Sequence, residues 1–269
     1  MNRLTVIKIG GNVIDNPLSL QAFLEDFSAL AGLKILVHGG GKIATKLAAD
    51  LGIEAQMVEG RRITDDQTLR IVTMVYAGLV NKNIVAGLQQ LKCNAIGLSG
   101  ADGNLIRADK RPVKLHPSGN GTIDYGFAGD LNDASVNSEQ MRKLLDAGFT
   151  PVFSAITHDG QGQLLNTNAD TIASVIAVAM ASLYEVSLVY CFEKKGVLTD
   201  IADDDSVVPV INPDTYKSLK AGGIIYEGMI PKMDNAFEAI DAGVREVYIG
   251  RSDELSCLQS QSFGTRLII

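Results

Sequence analysis

Two apolar, largely β-branched runs near the start of the chain, Leu4-Thr5-Val6-Ile7 and Ile35-Leu36-Val37, each feed directly into a glycine turn, Lys8-Ile9-Gly10-Gly11 and His38-Gly39-Gly40-Gly41. Runs of that kind, apolar on both faces, read as strands of a buried parallel sheet. Both turns then open at the carboxyl edge of one sheet, where open α/β folds bind ligands. Glycine lets backbone N–H groups approach an anion closely, and a helix that follows adds its positive end. With the charge of Lys8 beside them, the turns point to phosphate chemistry.

The rest of the amino-terminal half repeats the rhythm. The pattern predicts helix over about 18–31 and 41–51, a short hairpin from Gln56 to Ile63, a long helix over about 65–90 capped by Thr64-Asp65, and a strand at 94–98. Prolines and glycines between 104 and 130 predict antiparallel hairpins. A helix at 137–147 and a strand at 151–155 follow, and Asn166-Thr167-Asn168-Ala169-Asp170 opens an apolar helix at 170–182. A seam between two lobes is expected there. Beyond it come strands at 186–191 and 246–249 and helices at about 212–221 and 230–242.

A chain of 269 residues with 46% hydrophobic content can bury a large core, and its formal charge of -7 argues against a general nucleic-acid or membrane-surface binder. Cys93, Cys191 and Cys257 are far apart with no paired spacing, so they read as reduced thiols, and no metal site is expected from protein ligands alone. Residues 1–20 lack the pattern of a secretory signal, and the apolar stretch Ile172 to Leu183 is too short for a membrane span. A cytoplasmic location is the expectation.

Several familiar phosphate and hydrolase motifs fail. Gly41-Lys42 invites a P-loop, but Leu36 stands where its first glycine belongs and no Ser or Thr follows Lys42 directly. His38-Gly39-Gly40-Gly41 does not complete a dinucleotide fingerprint. It could serve a hydrolase oxyanion loop, yet Gly97-Leu98-Ser99-Gly100-Ala101 lacks the last glycine of a nucleophile elbow around Ser99. His38 itself reads as a structural group at a strand end.

Taken together, Lys8-Ile9-Gly10-Gly11, His38-Gly39-Gly40-Gly41, Gly60-Arg61-Arg62-Ile63-Thr64, Gly97 to Gly103, Asn166 to Asp170 and Gly228-Met229-Ile230-Pro231-Lys232 occur in an order and spacing that resembles the amino acid kinase family. The resemblance runs from residue 4 to the carboxyl terminus, where Gly264-Thr265-Arg266 looks like a closing strand. It implies a three-layer αβα sandwich around a mainly parallel sheet. Residues 1–170 would hold an N-acylglutamate and the dimer contact, and residues 171–269 would hold ATP with Mg2+. The implied reaction is transfer of a phosphoryl group to the γ-carboxylate of N-acetyl-L-glutamate, an arginine-biosynthetic step. The same reaction on N-succinyl-L-glutamate and a ligand sensor that has lost turnover are the alternatives.

Carried over by resemblance, Lys8 and Lys232 flank the transferred phosphoryl, and Asp170 holds both lysines. Gly10, Gly11 and Gly41 offer amides to phosphate oxygens. Arg62 and Asn166 bind the substrate α-carboxylate, and Gly40 with Gly41 lines the acylglutamate slot. Glu193, Gly196 and Ile224-Ile225-Tyr226 fall at nucleotide positions. Two places depart from the family pattern. Cys191-Phe192-Glu193-Lys194-Lys195-Gly196 replaces an aspartate-containing turn, and Arg61 stands where an apolar residue commonly meets the acyl methyl. Arg61 then either faces solvent or pairs with an acyl carboxylate. The chain starts its first strand at about Leu4, without the extra helix through which arginine-inhibited members interlace, so a homodimer indifferent to arginine is expected.

Overall fold

The computed structural model describes residues 2–58, 61–115, 121–225, 229–260 and 262–269. Eight strands build the central sheet: β1 (Arg3–Ile9), β2 (Leu33–His38), β3 (Ala95–Leu98), β4 (Thr150–Ser154), β5 (Glu185–Phe192), β6 (Val210–Ile211), β7 (Glu246–Arg251) and β8 (Thr265–Leu267). Their order across the sheet is β6-β8-β7-β5-β1-β2-β4-β3. From β7 to β3 every neighbour is parallel, while β7 and β8 run antiparallel. Val6, Ile7, Ile35, Leu36, Val37, Val152, Leu188 and Val189 are wholly buried in these strands. That is the signature of a sheet covered on both faces.

β1 lies at the middle, with β2 on one side and β5 on the other. Residues 1–170 and 171–269 therefore share one continuous sheet, and the seam expected near Asp170 is a helix start on that sheet. The register pairs Lys8 with Val37 and Tyr190, and Ile9 with His38 and Cys191. Both glycine turns and the end of β5 consequently emerge side by side at the carboxyl edge, as the strand runs predict.

The long helix spans Asp66–Gln90, with a stretch of wider π-type turns at Met74–Val80 that no sequence signal indicated. By length and composition it is apolar enough to cross a membrane, which the measurement of Ile172 to Leu183 alone overlooked. Its apolar side is used inside the molecule: Ile71, Val72, Val75, Val80, Ile84 and Leu88 are all buried in the core. Met74 and Leu79 remain 55% and 52% exposed on the opposite side.

Between residues 104 and 167, the short strands that lie outside the central sheet pair into small sheets of their own. Four strands at 109–110, 128–130, 156–158 and 164–167 form one of them, and the last two were not anticipated. The hairpin of Met57–Val58 with Arg61–Arg62 is stitched onto this layer by Thr64 N–H to Tyr125 O at 3.1 Å and by Phe127 N–H to Thr64 O at 2.7 Å. Ile123, Tyr125 and Ala128 bury against Val58 and Ile63 as a satellite core. The hairpin is thereby held over the mouth of the site.

Candidate active site

Lys8 is the penultimate residue of β1 and is only 9% exposed, so its ammonium needs a counter-charge. Asp170 supplies it, with Oδ1 at 2.7 Å from Nζ. Asn168 caps the Ala169–Met180 helix by accepting from Thr171 N–H, and this places Asp170 in the helix's first turn. The buried Oδ1 accepts no aligned hydrogen bond, so charge rather than hydrogen-bond geometry holds the pair.

Lys232 comes from the Met229–Asp241 helix on the other side of the cleft. Its Nζ lies 4.2 Å from the centre of the Phe192 ring, and Lys8 Nζ lies 5.3 Å from the same ring. Two cations thus share one aromatic ring, whose negative face attracts both. Phe192 ends β5 and stacks on Tyr190 at 6.2 Å. Sequence reasoning treated this residue only as a departure from pattern.

Lys8, Lys232, Asp170, Gly10, Gly11, Gly40, Gly41, Glu193, Gly196 and Ile224 all line one cleft of about 1240 Å³. Ile225 does not; it is 1% exposed in the core, because the chain turns inward at the end of the Pro213–Ala221 helix. Tyr226, and Gly60 and Gly228 of the quoted motifs, lie outside the described residues. The Gly10 N–H is already engaged with Cys191 O at 3.1 Å, which removes it from the amides expected to meet phosphate. Lys194 and Lys195 bind Asp204 and Asp205 at 2.9 and 2.5 Å, so the unusual turn anchors the acidic loop behind the cleft wall. Lys42, also on the wall, reaches Asn12 Oδ1 and ties the two glycine turns together.

A second cavity of about 260 Å³ opens from Gly39–Gly41 and is lined by Arg61, Arg62, Asn166, Tyr76 and Arg111 among others. Arg62 donates to Gly41 O at 3.1 Å and to Thr45 Oγ1 at 2.7 Å, and Asn166 Nδ2 donates to Thr64 Oγ1 at 3.0 Å. Arg111, which no motif singled out, is 7% exposed, stacks 5.0 Å from the Tyr125 ring centre and is clamped by both oxygens of Asp130. Only the fold brings it here, since its strand neighbours are distant in sequence.

The loop at Gly40 is tightly specified. Its φ of +154° and a Cβ position 2.9 Å from Tyr76 Cδ1 leave room for glycine alone. His38 braces the loop from below. Its Nδ1 meets Gly39 O at 2.8 Å and its Nε2 meets Asn81 Nδ2 at 3.0 Å. Complete burial lowers its pKa from 6.5 to about 4, so the ring is neutral, with Nδ1–H donating and Nε2 accepting. It is a structural group, as expected. Ser99 Oγ donates to Asp102 Oδ2 at 2.8 Å, and among the described residues no histidine bonds to it.

A mainly parallel sheet carrying two adjacent glycine turns, with opposed lysines across a cleft, is an arrangement that suits a phosphotransferase. The amino acid kinase family model matches residues 3–251, and the chain belongs to that family. It is 57% identical over its whole length to the acetylglutamate kinase of Cytophaga hutchinsonii, of which it covers 99%. It is also 59% identical over 92% of its length to the acetylglutamate kinase of Phocaeicola vulgatus, covering 93% of that chain. Among solved structures it is similar to smu.665 from Streptococcus mutans UA159, with 26% identity, a TM-score of 0.73 and 98% of each chain covered.

Proposed function

We propose that the chain phosphorylates the γ-carboxylate of an N-acylglutamate with ATP, the acetylglutamate kinase reaction of arginine biosynthesis. One observation carries the reading: the lysine-flanked cleft runs, through the shared Gly39–Gly41 wall, into a cavity lined by arginines and, among the described residues, by no acidic side chain. A triphosphate suits the first compartment and an acidic small molecule the second. Names at 54–59% identity agree with it.

The chemistry asks little covalent help from the protein. A γ-carboxylate is ionised at neutral pH and needs no general base. Its oxygen attacks the γ-phosphorus of ATP, the bond to the bridging oxygen breaks, and ADP leaves with the electron pair. Lys8 and Lys232 neutralise charge on the transferred group from opposite sides, and Asp170 fixes Lys8 for that task. The Gly41 amide and the start of the Gly41–Asp50 helix face the phosphoryl, while Arg62 and Asn166 take the α-carboxylate. Gly11, Glu193, Gly196 and Ile224 border the nucleotide. Mg2+ would come with ATP and supply positive charge to its phosphates, beside the Asp170 and Glu193 carboxylates that line the cleft.

A second copy of the chain completes the unit, with the exposed Met74 and Leu79 of the long helix in the contact. Incubation with ATP, Mg2+, N-acetylglutamate and hydroxylamine tests the activity. An acyl phosphate is trapped as its hydroxamate in proportion to ADP formed; ADP without hydroxamate rejects the reading.

A further inference from the structure

We propose that Lys42 is a nucleotide-binding residue whose ammonium pairs with the β-phosphate of ATP, and with that of ADP as it leaves. This rests on the phosphoryl-transfer reading above and gives that site a third cation.

The other charges of the cleft are already divided. Lys8 is bound to Asp170 and, with Lys232, serves the transferred group. Lys194 is held by Asp204 at 2.9 Å, and Arg62 is turned to Gly41 O and Thr45 Oγ1 at the border with the small cavity. Among the described residues that line the cleft, Lys42 is the remaining cation. Its ammonium donates to the neutral amide oxygen of Asn12 and lies 4.0 Å from Asp15 Oδ2, and its side chain is 68% exposed. An ion pair that long and that wet contributes little, so the ammonium can exchange its carboxylate for a phosphate. The transfer itself asks for such a group, because charge builds on the leaving diphosphate as the γ-phosphorus departs.

Position favours the nucleotide over the acylglutamate. Lys42 and Asn12 border the large cleft and not the small cavity. Ile9 pairs with His38 on the parallel neighbours β1 and β2, so the two glycine turns leave the sheet together and Lys42 reaches from the second across to the first. A Cβ built on Gly11 meets nothing within 4 Å, which puts open cleft directly beside that contact. Lys42 also stands in the first turn of the Gly41–Asp50 helix, where Gly40 supplies no side-chain cap and no acid follows. The helix dipole makes that end a poor place for a cation and a good one for an anion. A bound phosphate reverses the local cost, since it meets the ammonium and the uncapped end of the helix together. Gly41-Lys42 lacks the spacing of a P-loop, yet the fold brings the same pieces, a strand end, a glycine turn, a helix start and a lysine, to one place.

Calorimetric titration with MgADP and with AMP, without acylglutamate, reads the contact independently of turnover. Lys42→Ala is expected to raise the Kd of MgADP by about tenfold, the scale of one charge-assisted hydrogen bond. AMP lacks the β-phosphate, so its Kd should not move, which also reports an intact cleft. Lys42→Arg keeps the charge and should recover most of the loss, and added salt should weaken MgADP binding less in Lys42→Ala than in the wild type. Asn12→Ala breaks the tie between the turns and spares the ammonium, so it should cost much less MgADP affinity than Lys42→Ala. Unchanged MgADP affinity in Lys42→Ala, an equal loss for AMP, or an equal loss in Asn12→Ala overturns the proposal. The two readings fail separately. Weakened MgADP binding in Lys42→Ala from a chain that phosphorylates no acylglutamate rejects that reaction and keeps the contact, while an active kinase whose MgADP affinity ignores Lys42→Ala does the reverse.

Discussion

The Lys232 ammonium lies 4.2 Å from the centre of the Phe192 ring, closer than Lys8 on the same ring. Lys8 has Asp170 as its counter-charge, and the ring gives Lys232 a partner that a phosphoryl can displace. Phe192→Leu keeps an apolar side chain but removes the quadrupole. We expect kcat to fall roughly 3- to 30-fold, the range of a partly desolvated cation–π contact, with a smaller change in KM for either substrate. Steady-state kinetics check it, and a pure KM effect would assign Phe192 to nucleotide binding instead.

Asp170 is expected to act through Lys8. Asp170→Asn keeps the shape and removes the counter-charge 2.7 Å from the ammonium, so kcat should drop by about a hundredfold or more, the scale of losing an aligned transition-state cation. ATP binding, read by nucleotide titration, should change far less.

Gly40→Ala places a methyl 2.9 Å from Tyr76 Cδ1 at a φ of +154°. The glycine loop must shift, so we expect KM for the acylglutamate to rise together with a loss of kcat. Adding Tyr76→Ala relieves the clash but not the backbone strain, so recovery should be partial. Full recovery would show that space alone dictates glycine there.

His38 gives a pH signature. Its pKa is about 4 in the folded chain against an ordinary 6.5, so below pH 6.5 the unfolded state takes up a proton that the folded state refuses. The stability from the neutral ring is complete above pH 6.5 and is lost as pH falls toward 4, by at most about 3 kcal/mol. His38→Gln removes this term. The gap in melting temperature between wild type and variant should narrow steadily from pH 7 to 4.5, and a constant gap would place the ring in contact with water.

Much of this was legible in the residues because the governing patterns are local. The runs at Leu4 and Ile35 announce parallel strands, and the glycines after them announce where ligand chemistry must sit. Asn168 before an apolar run announces the helix that presents Asp170. What escaped depends on contacts across the fold. Phe192 meets Lys232 only because the Met229–Asp241 helix brings that ammonium over its ring, and Arg111 is held at the small cavity only because the strand at 128–130 places Asp130 beside it. Ile225 was misplaced for the same reason, since the turn that buries it is set by the core beneath. The π-type turns at Met74–Val80 leave no mark in composition.

If Lys8 and Lys232 stabilise one transferred phosphoryl from opposite sides of the cleft, turnover of Lys8→Ala and of Lys232→Ala at saturating ATP and acylglutamate should fall by about a hundredfold or more in each variant, with circular dichroism unchanged. Turnover near that of the wild type in either variant would refute this role of the two lysines.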